Sequence, residues 1–465
     1  MMKLQGIQKQ KAKALSQHKS GAYKEAIALY REILANCPDD VDTLSNLGSA
    51  YRSIKRPEVA VLLYRRALEL KETRGYRFNL ANALKDLHRY PEAIETYQQL
   101  LLEEPGNYHY QYNLAVALRD SGDHRSALDV LSVMERRYPS DHSIRWEVAQ
   151  NFLRLGDYRN GWRYFESRWK LGKISLPEMN VPVWRGEPLD GKHLLVVAEQ
   201  GYGDTLLMAR YIPRLVASSC RVTLLCKPEL HSLFSDSQIS CVENHLEVPV
   251  VDYLVPIMSL PGLLDPDNQC TPEPFPFSVD GERAGYFERI LRPSSERPNV
   301  GIVWSGSITF QNNHNRSMRF SRVLKLLSPL DIKLYSFQKG QPQGELRSAD
   351  IGHAIVDVGD LCNDFSDTAA ALQSMDFIVM TDSSIAHLAA SLGKPVVNLL
   401  DSASYWLYGA EGLSTPWYSS MHLVRQRVPG SWDSLEEEFY EVIKNLTDSI
   451  GNRSGYLQAR STALH

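Results

Sequence analysis

Three short polar stretches, each directly behind an apolar run, carry the residue types needed to hold a phosphorylated ligand and move a proton beside it. The longest is Thr381-Asp382-Ser383-Ser384-Ile385-Ala386-His387-Leu388-Ala389-Ala390, closed by Gly393 and Pro395. An apolar strand ends at Thr381 and a helix starts at once, with Ser383 or Ser384 as its cap. Its free N–H groups and positive dipole end suit a diphosphate. Asp382 lies in that turn, and His387, about one turn into the helix, is near enough to touch a phosphate or ribose. An ordinary capped helix is the other reading of the same residues.

The second stretch is Glu199-Gln200-Gly201-Tyr202-Gly203-Asp204-Thr205. Gly201 and Gly203 permit a tight turn and a close approach of ligand to backbone, so Gly203 and Thr205 are expected to face the donor. Asp204 is either a plain N-cap or a general base that takes the proton of an attacking hydroxyl. Leu206 stands where a dinucleotide fingerprint needs its third glycine, which excludes that motif. The third stretch is Trp304-Ser305-Gly306-Ser307 with Asn312-Asn313-His314-Asn315-Arg316 behind it. Ser305 and Ser307 can donate to phosphate oxygens, and Arg316 (or Arg319) can bridge two of them in a fork; the alternative is a plain surface loop. Gln338, at the end of the next apolar run, is a weaker candidate for a nucleotide base or ribose. No strand ends in an Asp-x-Asp pair, and Asp40-Val41-Asp42 falls in the helical first third. No metal or other cofactor is therefore expected, and N–H groups, hydroxyls and arginine must stabilise the leaving group.

Short apolar runs alternating with helical stretches must position these residues, the pattern of parallel strands with crossover helices. Strands are expected at His193–Ala198, Arg221–Cys226 and Val251–Val255, with a helix over Asp204–Ala217. A second set covers Asn299–Trp304, Lys333–Gln338, Ile355–Val358, Asp376–Thr381 and Val396–Leu400. Helices are expected at Ser321–Leu327, Asp367–Met375, Ser384–Leu392 and Asp433–Leu446.

The first third differs. Small residues recur at Ala26, Ala60, Ala93, Ala127 and Gly161, spaced by 34, 33, 34 and 34. Four positions later stand Tyr30, Tyr64, Tyr97, Leu131 and Phe165, and Pro38, Pro105 and Pro139 close three units. This period resembles five tetratricopeptide repeats, each a pair of helices that cannot bury its apolar face until stacked. Asn46, Asn79 and Asn113 share the sixth position of three consecutive first helices. A carboxamide both donates and accepts, so the row can clamp a peptide backbone; a row of asparagines on a solvated face is the equal alternative. The first unit has Ala12 and the fifth Glu147 at that register. The row resembles the asparagine ladder in the repeat domain of O-linked N-acetylglucosamine transferase, which holds extended protein substrates.

Composition excludes several classes. Of 465 residues, 43% are hydrophobic and 23% charged, which is too apolar for a disordered chain. A net charge of −4 without a basic run argues against a nucleic-acid partner. Six cysteines without a CxxC pair suggest neither a zinc cage nor a disulfide framework. No apolar run reaches the roughly 18 residues of a membrane span, and no signal peptide is apparent at the N-terminus. A cytoplasmic protein is the expectation.

The stretch from Thr381 resembles the donor-binding signature of the heptosyltransferases, glycosyltransferase family nine, with Ser383 in place of a threonine. The resemblance implies an α-helical tetratricopeptide-repeat superhelix followed by an α/β GT-B fold of two Rossmann-like lobes facing a cleft. The expected domains are repeats over 7–172, a connector over 173–191, an acceptor-side lobe over 192–290, a donor lobe over 291–432, a helix over 433–448 and a tail over 449–465. It also implies inverting transfer of a sugar from a nucleotide-diphosphate sugar to a hydroxyl, with Asp204 as base. Ser305, Arg316, Asp382, Ser383, Ser384 and His387 would hold the donor. Heptosyltransferases have a lysine near Arg316, so that position departs from the pattern. The repeats would present a polypeptide acceptor. Alternatives are a carbohydrate or lipid-linked acceptor, with repeats serving homo-oligomeric assembly, or a non-enzymatic scaffold on a degenerate fold. Tyr405-Trp406 and Trp417-Tyr418 are either a sugar-stacking wall or buried packing.

Overall fold

The computed structural model describes residues 2–462 except 173, 236, 237, 295, 311, 350, 352 and 353. The chain forms two compact units, divided between Asn151 and Phe152.

The first unit is built of helix pairs: Met2–Lys19 with Tyr23–Asn36, Val41–Ser53 with Pro57–Leu70, Arg74–Asp86 with Tyr90–Glu103, and Tyr108–Asp120 with His124–Arg137. The helix His142–Arg154 opens a fifth. Asp40, Thr73, Asn107 and Asp123 start four of these helices by accepting from the N–H groups of Thr43, Tyr76, Tyr110 and Ser126, which satisfies donors a helix start otherwise strands. Pro38, Pro105 and Pro139 sit in the turns that follow second helices. Ala26, Ala60, Ala93 and Ala127 are 0% exposed, and Tyr30, Tyr64, Tyr97 and Leu131 are at most 1% exposed. Small residue and large residue therefore interlock as their spacing predicts. The approach is tight enough that a Cβ on Gly48 would come within 2.8 Å of the Tyr64 ring.

The second unit begins inside the fifth repeat. It takes the second helix of that pair, Tyr158–Phe165, and the 3-10 turn Glu166–Leu171. The contact boundary thus falls earlier than the expected end of the repeats at residue 172. The cause is aromatic packing: the Trp162 ring lies edge-on to Trp406 at 5.1 Å, and Tyr158 meets Trp417 at 6.0 Å. Arg154 adds a hydrogen bond of 3.3 Å to Ser404 Oγ. Trp406 and Trp417 are no more than 2% exposed, so this aromatic group is packing, not a wall open to sugar.

Two parallel sheets follow. The first contains β1 (His193–Val197), β2 (Arg221–Leu225), β3 (Ile239–Val242) and β4 (Tyr253–Pro256) in the order β3-β2-β1-β4. The second contains β5 (Asn299–Val303), β6 (Lys333–Ser336), β7 (Ile355–Asp357), β8 (Phe377–Thr381), β9 (Val396–Leu400) and β10 (Met421–Arg425), ordered β10-β9-β8-β5-β6-β7. Strands β5, β8 and β9 are buried along their whole length, as expected for parallel strands covered on both faces. The order reverses between β5 and β8, and in such sheets ligands bind beyond the carboxyl ends at the reversal. The polar stretches after Val303 and Thr381 leave the sheet at that point.

Strands β3 and β10 depart from expectation. Both are outermost in their sheets, and polar or partly exposed residues interrupt the apolar run that marks the buried strands. The helix expected over Asp204–Ala217 is broken into Tyr202–Met208, a 3-10 turn Ala209–Tyr211 and Ile212–Ala217; Pro213 has no N–H to continue one helix. Helix Gly281–Leu291 was also not expected. The last helix, Glu436–Thr462, runs through most of the expected tail, and residues 463–465 lie outside the described chain. Phe439, Val442, Ile443 and Leu446 bury its first half against Val424 and Leu435. Among the described residues no helix is long and apolar enough to cross a membrane.

Candidate active site

Asp204 stands on the turn that follows β1. It is the third residue of its helix, not the N-cap, which is Gly201. The Gly201 N–H donates to Asp204 Oδ2 at 3.1 Å, and the Tyr405 hydroxyl lies 3.5 Å from Oδ1. One oxygen closes the turn and the other faces a single weak partner. Burial, reinforced by the Asp382 carboxylate and opposed by the Gly201 N–H and Arg316, raises the Asp204 carboxyl to about 6. It is ionised at neutral pH yet more basic than a free carboxylate, as a general base requires.

The stretch after β8 meets this turn. A Cβ on Gly203 would lie 3.5 Å from Ser384 Cα and 2.9 Å from His387 Cδ2. Glycine is therefore what lets the Asp204 turn touch the start of the helix Ser384–Ser391. Ser383 occupies the N-cap position but forms no capping bond, and its buried Oγ has no partner among the described residues. The expected side-chain cap is thus absent, which leaves the first N–H groups of the helix without a serine acceptor. Asp382 accepts from Arg316 Nη1 at 3.1 Å and from the Tyr408 hydroxyl at 2.5 Å. A carboxylate repels phosphate, so the role of Asp382 in this geometry is to hold Arg316 and Tyr408. Arg316 Cζ lies over the Phe310 ring, 4.4 Å from its centroid. Gly306 makes room for it, since a Cβ there would come within 2.7 Å of Arg316 Nη2. Arg319 is exposed, before the helix Phe320–Leu327. Arg316 is the arginine that reaches the site.

His387 is 6% exposed, with Nδ1 3.3 Å from the Tyr418 hydroxyl. Burial outweighs the attraction of Asp382 and, with Arg210 and Arg316 nearby, lowers the ring to about 4. A neutral ring packs under Gly203 and offers no positive charge to a phosphate. Because the unfolded ring takes up a proton near 6.5, stability should fall as pH drops from 6.5 towards 4, by up to about 3 kcal/mol. In His387→Gln the melting temperature should depend less steeply on pH across that window than in the wild type. Equal slopes would remove this account of the ring.

Several expected ligand-binding residues are committed elsewhere. Gln338 Oε1 accepts from the Trp304 and Ser305 N–H groups at 3.0 and 2.9 Å, and its Nε2 donates to the Ser305 and Lys339 carbonyls. With every polar atom used and 3% exposure, it braces the loop and does not face a base or ribose. Ser305 is 7% exposed, donates to the Gly306 carbonyl and accepts from Asn313 Nδ2, which removes it from direct phosphate contact. Thr205 is 2% exposed and bonds the Gly201 carbonyl, so it faces the interior. Ser307 is exposed and pairs with Thr309. Tyr405, expected only as stacking or packing, contacts Asp204, and Tyr408, which bonds Asp382, was missed because their turn carries no phosphate-binding pattern.

In the first unit, Asn46, Asn79 and Asn113 take the same place in successive first helices and are partly exposed. Asn79 donates to Ser45 Oγ at 3.2 Å, while Asn113 donates to the His109 carbonyl and accepts from Lys85 Nζ. A hollow of about 530 Å³ in this unit is lined by Pro91, Ile94, Leu114, Leu118 and Val130 among others, and by none of the three asparagines.

A helix-pair array followed by two parallel α/β lobes, with a carboxylate beside an uncapped helix start, defines a tetratricopeptide-repeat protein carrying a GT-B glycosyltransferase fold. Residues 11–74 and 78–142 match the tetratricopeptide repeat, and residues 294–417 match glycosyltransferase family 9 (heptosyltransferase). The chain thus carries a stretch similar to tetratricopeptide repeats ahead of one similar to family 9. It is 24% identical over 304 residues to Protein FlbA of Caulobacter vibrioides (strain ATCC 19089 / CIP 103742 / CB 15), a match covering 59% of this chain and 50% of FlbA. The chain therefore spans about half the length of the curated relative it matches. Among solved structures, MamA is 18% identical with a TM-score of 0.31, covering 37% of this chain and 97% of MamA. A tetratricopeptide repeat protein from Parabacteroides merdae ATCC 43184 is 18% identical with a TM-score of 0.32, covering 36% of this chain and 67% of that one.

Proposed function

We propose that this protein is an inverting, metal-independent glycosyltransferase that moves a sugar from a nucleotide-diphosphate sugar to a hydroxyl of a polypeptide. The observation that carries the reading is the contact of the Asp204 turn with the start of the helix Ser384–Ser391. In the reaction, Asp204 takes the acceptor O–H proton as that oxygen bonds to the anomeric carbon. The bond from that carbon to the diphosphate breaks, and the diphosphate leaves with the electron pair. The free N–H groups at the helix start and the Arg316 guanidinium meet its growing charge.

A polypeptide acceptor is supported by the partly exposed asparagines in register on successive first helices. The bonds that Asn79 and Asn113 make inside the repeats favour a second reading, a carbohydrate acceptor with repeats used for assembly. A cytoplasmic setting fits six cysteines that are all free.

The test is a screen of nucleotide sugars for thermal stabilisation, since a ligand that prefers the folded chain raises its melting point, followed by donor hydrolysis. No stabilisation and no hydrolysis with any donor would end the enzymatic reading. Replacing Asn46, Asn79 and Asn113 together by alanine should reduce transfer to protein and leave donor hydrolysis intact; unchanged transfer would favour the second reading. Arg316→Met should weaken binding of a nucleoside diphosphate about 10- to 100-fold, the worth of a charge-assisted contact. Calorimetry with UDP, GDP and ADP measures it.

A further inference from the structure

The buried charges behind Asp204 are not used by the reaction above. Arg168, in the 3-10 turn after the last repeat helix, is 1% exposed. Its Nε and Nη2 both lie 2.8 Å from Glu199 Oε1, its Nη2 also donates to Ser259 Oγ, and its Nη1 donates to Glu166 Oε1 at 2.7 Å. The guanidinium is held between the Phe165 and Trp169 rings, 4.7 and 4.6 Å from their centroids. The Glu199 side chain is fully buried, and its Oε2 has no hydrogen-bond partner among the described residues.

Burying a carboxylate with half its hydrogen-bonding capacity unmet is costly, and nothing in the strand needs it. Glu199 lies two residues before Gly201, whose N–H orients Asp204. An anchor at Glu199 therefore fixes the entry to the catalytic turn from behind. We propose that Arg168 and Glu199 are positioning residues for Asp204: the turn after the last repeat helix clamps the Asp204 loop through the Arg168–Glu199 contact. The proposal rests on the glycosyltransferase reading for its catalytic meaning and on geometry alone for the clamp.

The charges around the pair are few. Glu199 faces Arg168, Glu166 and Asp204, while Asp204 faces Asp382, Arg316, Tyr405 and the neutral His387 packed under Gly203. Burial, opposed by Arg168 and reinforced by Glu166 and Asp204, raises Glu199 to about 7. Asp204, at about 6, loses its proton before Glu199 does, so Glu199 acts on the base through the position it holds and not through its charge.

The experiment is a titration of the Asp204 carboxyl by infrared difference spectroscopy, each protein measured against its own Asp204→Asn partner. It needs no substrate. Glu199→Ala removes the anchor and should shift the Asp204 midpoint by about half a pH unit or more and reduce kcat at least about tenfold, whereas Glu199→Gln, close to isosteric and able to accept from Arg168, should keep both near wild type. Arg168→Met should reduce kcat at least about tenfold with little change in donor KM. An unmoved Asp204 midpoint and kcat in folded Glu199→Ala overturn the proposal, as does an equal loss in Glu199→Gln. A wild type without turnover overturns the enzymatic reading instead, and the carboxyl titration still decides the clamp.

Discussion

Asp204→Asn should lower sugar transfer by about a thousandfold, the middle of what a positioned general base contributes, while nucleotide-diphosphate binding stays within about twofold. The amide keeps the shape of the carboxyl and accepts from the Gly201 N–H through its carbonyl oxygen, but it cannot take a proton. The same substitution carries a stability signature. The folded carboxyl keeps its proton up to about 6, whereas an unfolded aspartate releases it near 4. Ionisation therefore favours unfolding, and wild-type stability falls as pH rises through that window. Asp204→Asn should accordingly melt higher than wild type at pH 7.5 and nearly level with it at pH 4. An inactive variant with no such crossover would place the loss in folding or donor binding. Retention of more than a tenth of wild-type transfer would take Asp204 out of the base role.

Gly203→Ala should cost about a hundredfold in kcat, the scale of a misplacement near 1 Å in a reacting geometry. The added methyl would meet His387 Cδ2 at 2.9 Å and Nε2 at 3.3 Å. That ring cannot swing aside, because it is buried and faces Tyr418 at a centroid distance of 5.7 Å. The turn bearing Asp204 must move instead, away from the helix start at Ser384. Shaving the ring in Gly203→Ala/His387→Ala reopens the space, so the double variant should recover activity relative to Gly203→Ala alone. If Gly203→Ala turns over normally, the two lobes do not meet here as described.

The local elements and the chemical inventory are legible along the chain. Its period of 33 or 34 residues places each alanine under its large partner, since interlocking helix pairs depend only on spacing along the chain. The apolar runs of β1, β5, β8 and β9 were equally legible, because a strand buried on both faces is a continuous apolar run. So were the polar stretches behind them, with Asp204, Arg316 and Ser383 in place. Where a side chain spends its hydrogen bonds was not legible. Gln338 and Ser305 look like ligand-binding residues in one dimension, and the fold uses them to brace the loop after β5. The partners of Asp204 and Asp382 come from Tyr405 and Tyr408, 201 and 26 residues along the chain. Arg168, at the end of the last repeat, bonds Glu199, 31 residues along the chain. Spacing encodes contacts within an element or between neighbouring repeats. Charge pairing across lobes depends on which surfaces are brought together and stripped of water, and only the tertiary structure decides that.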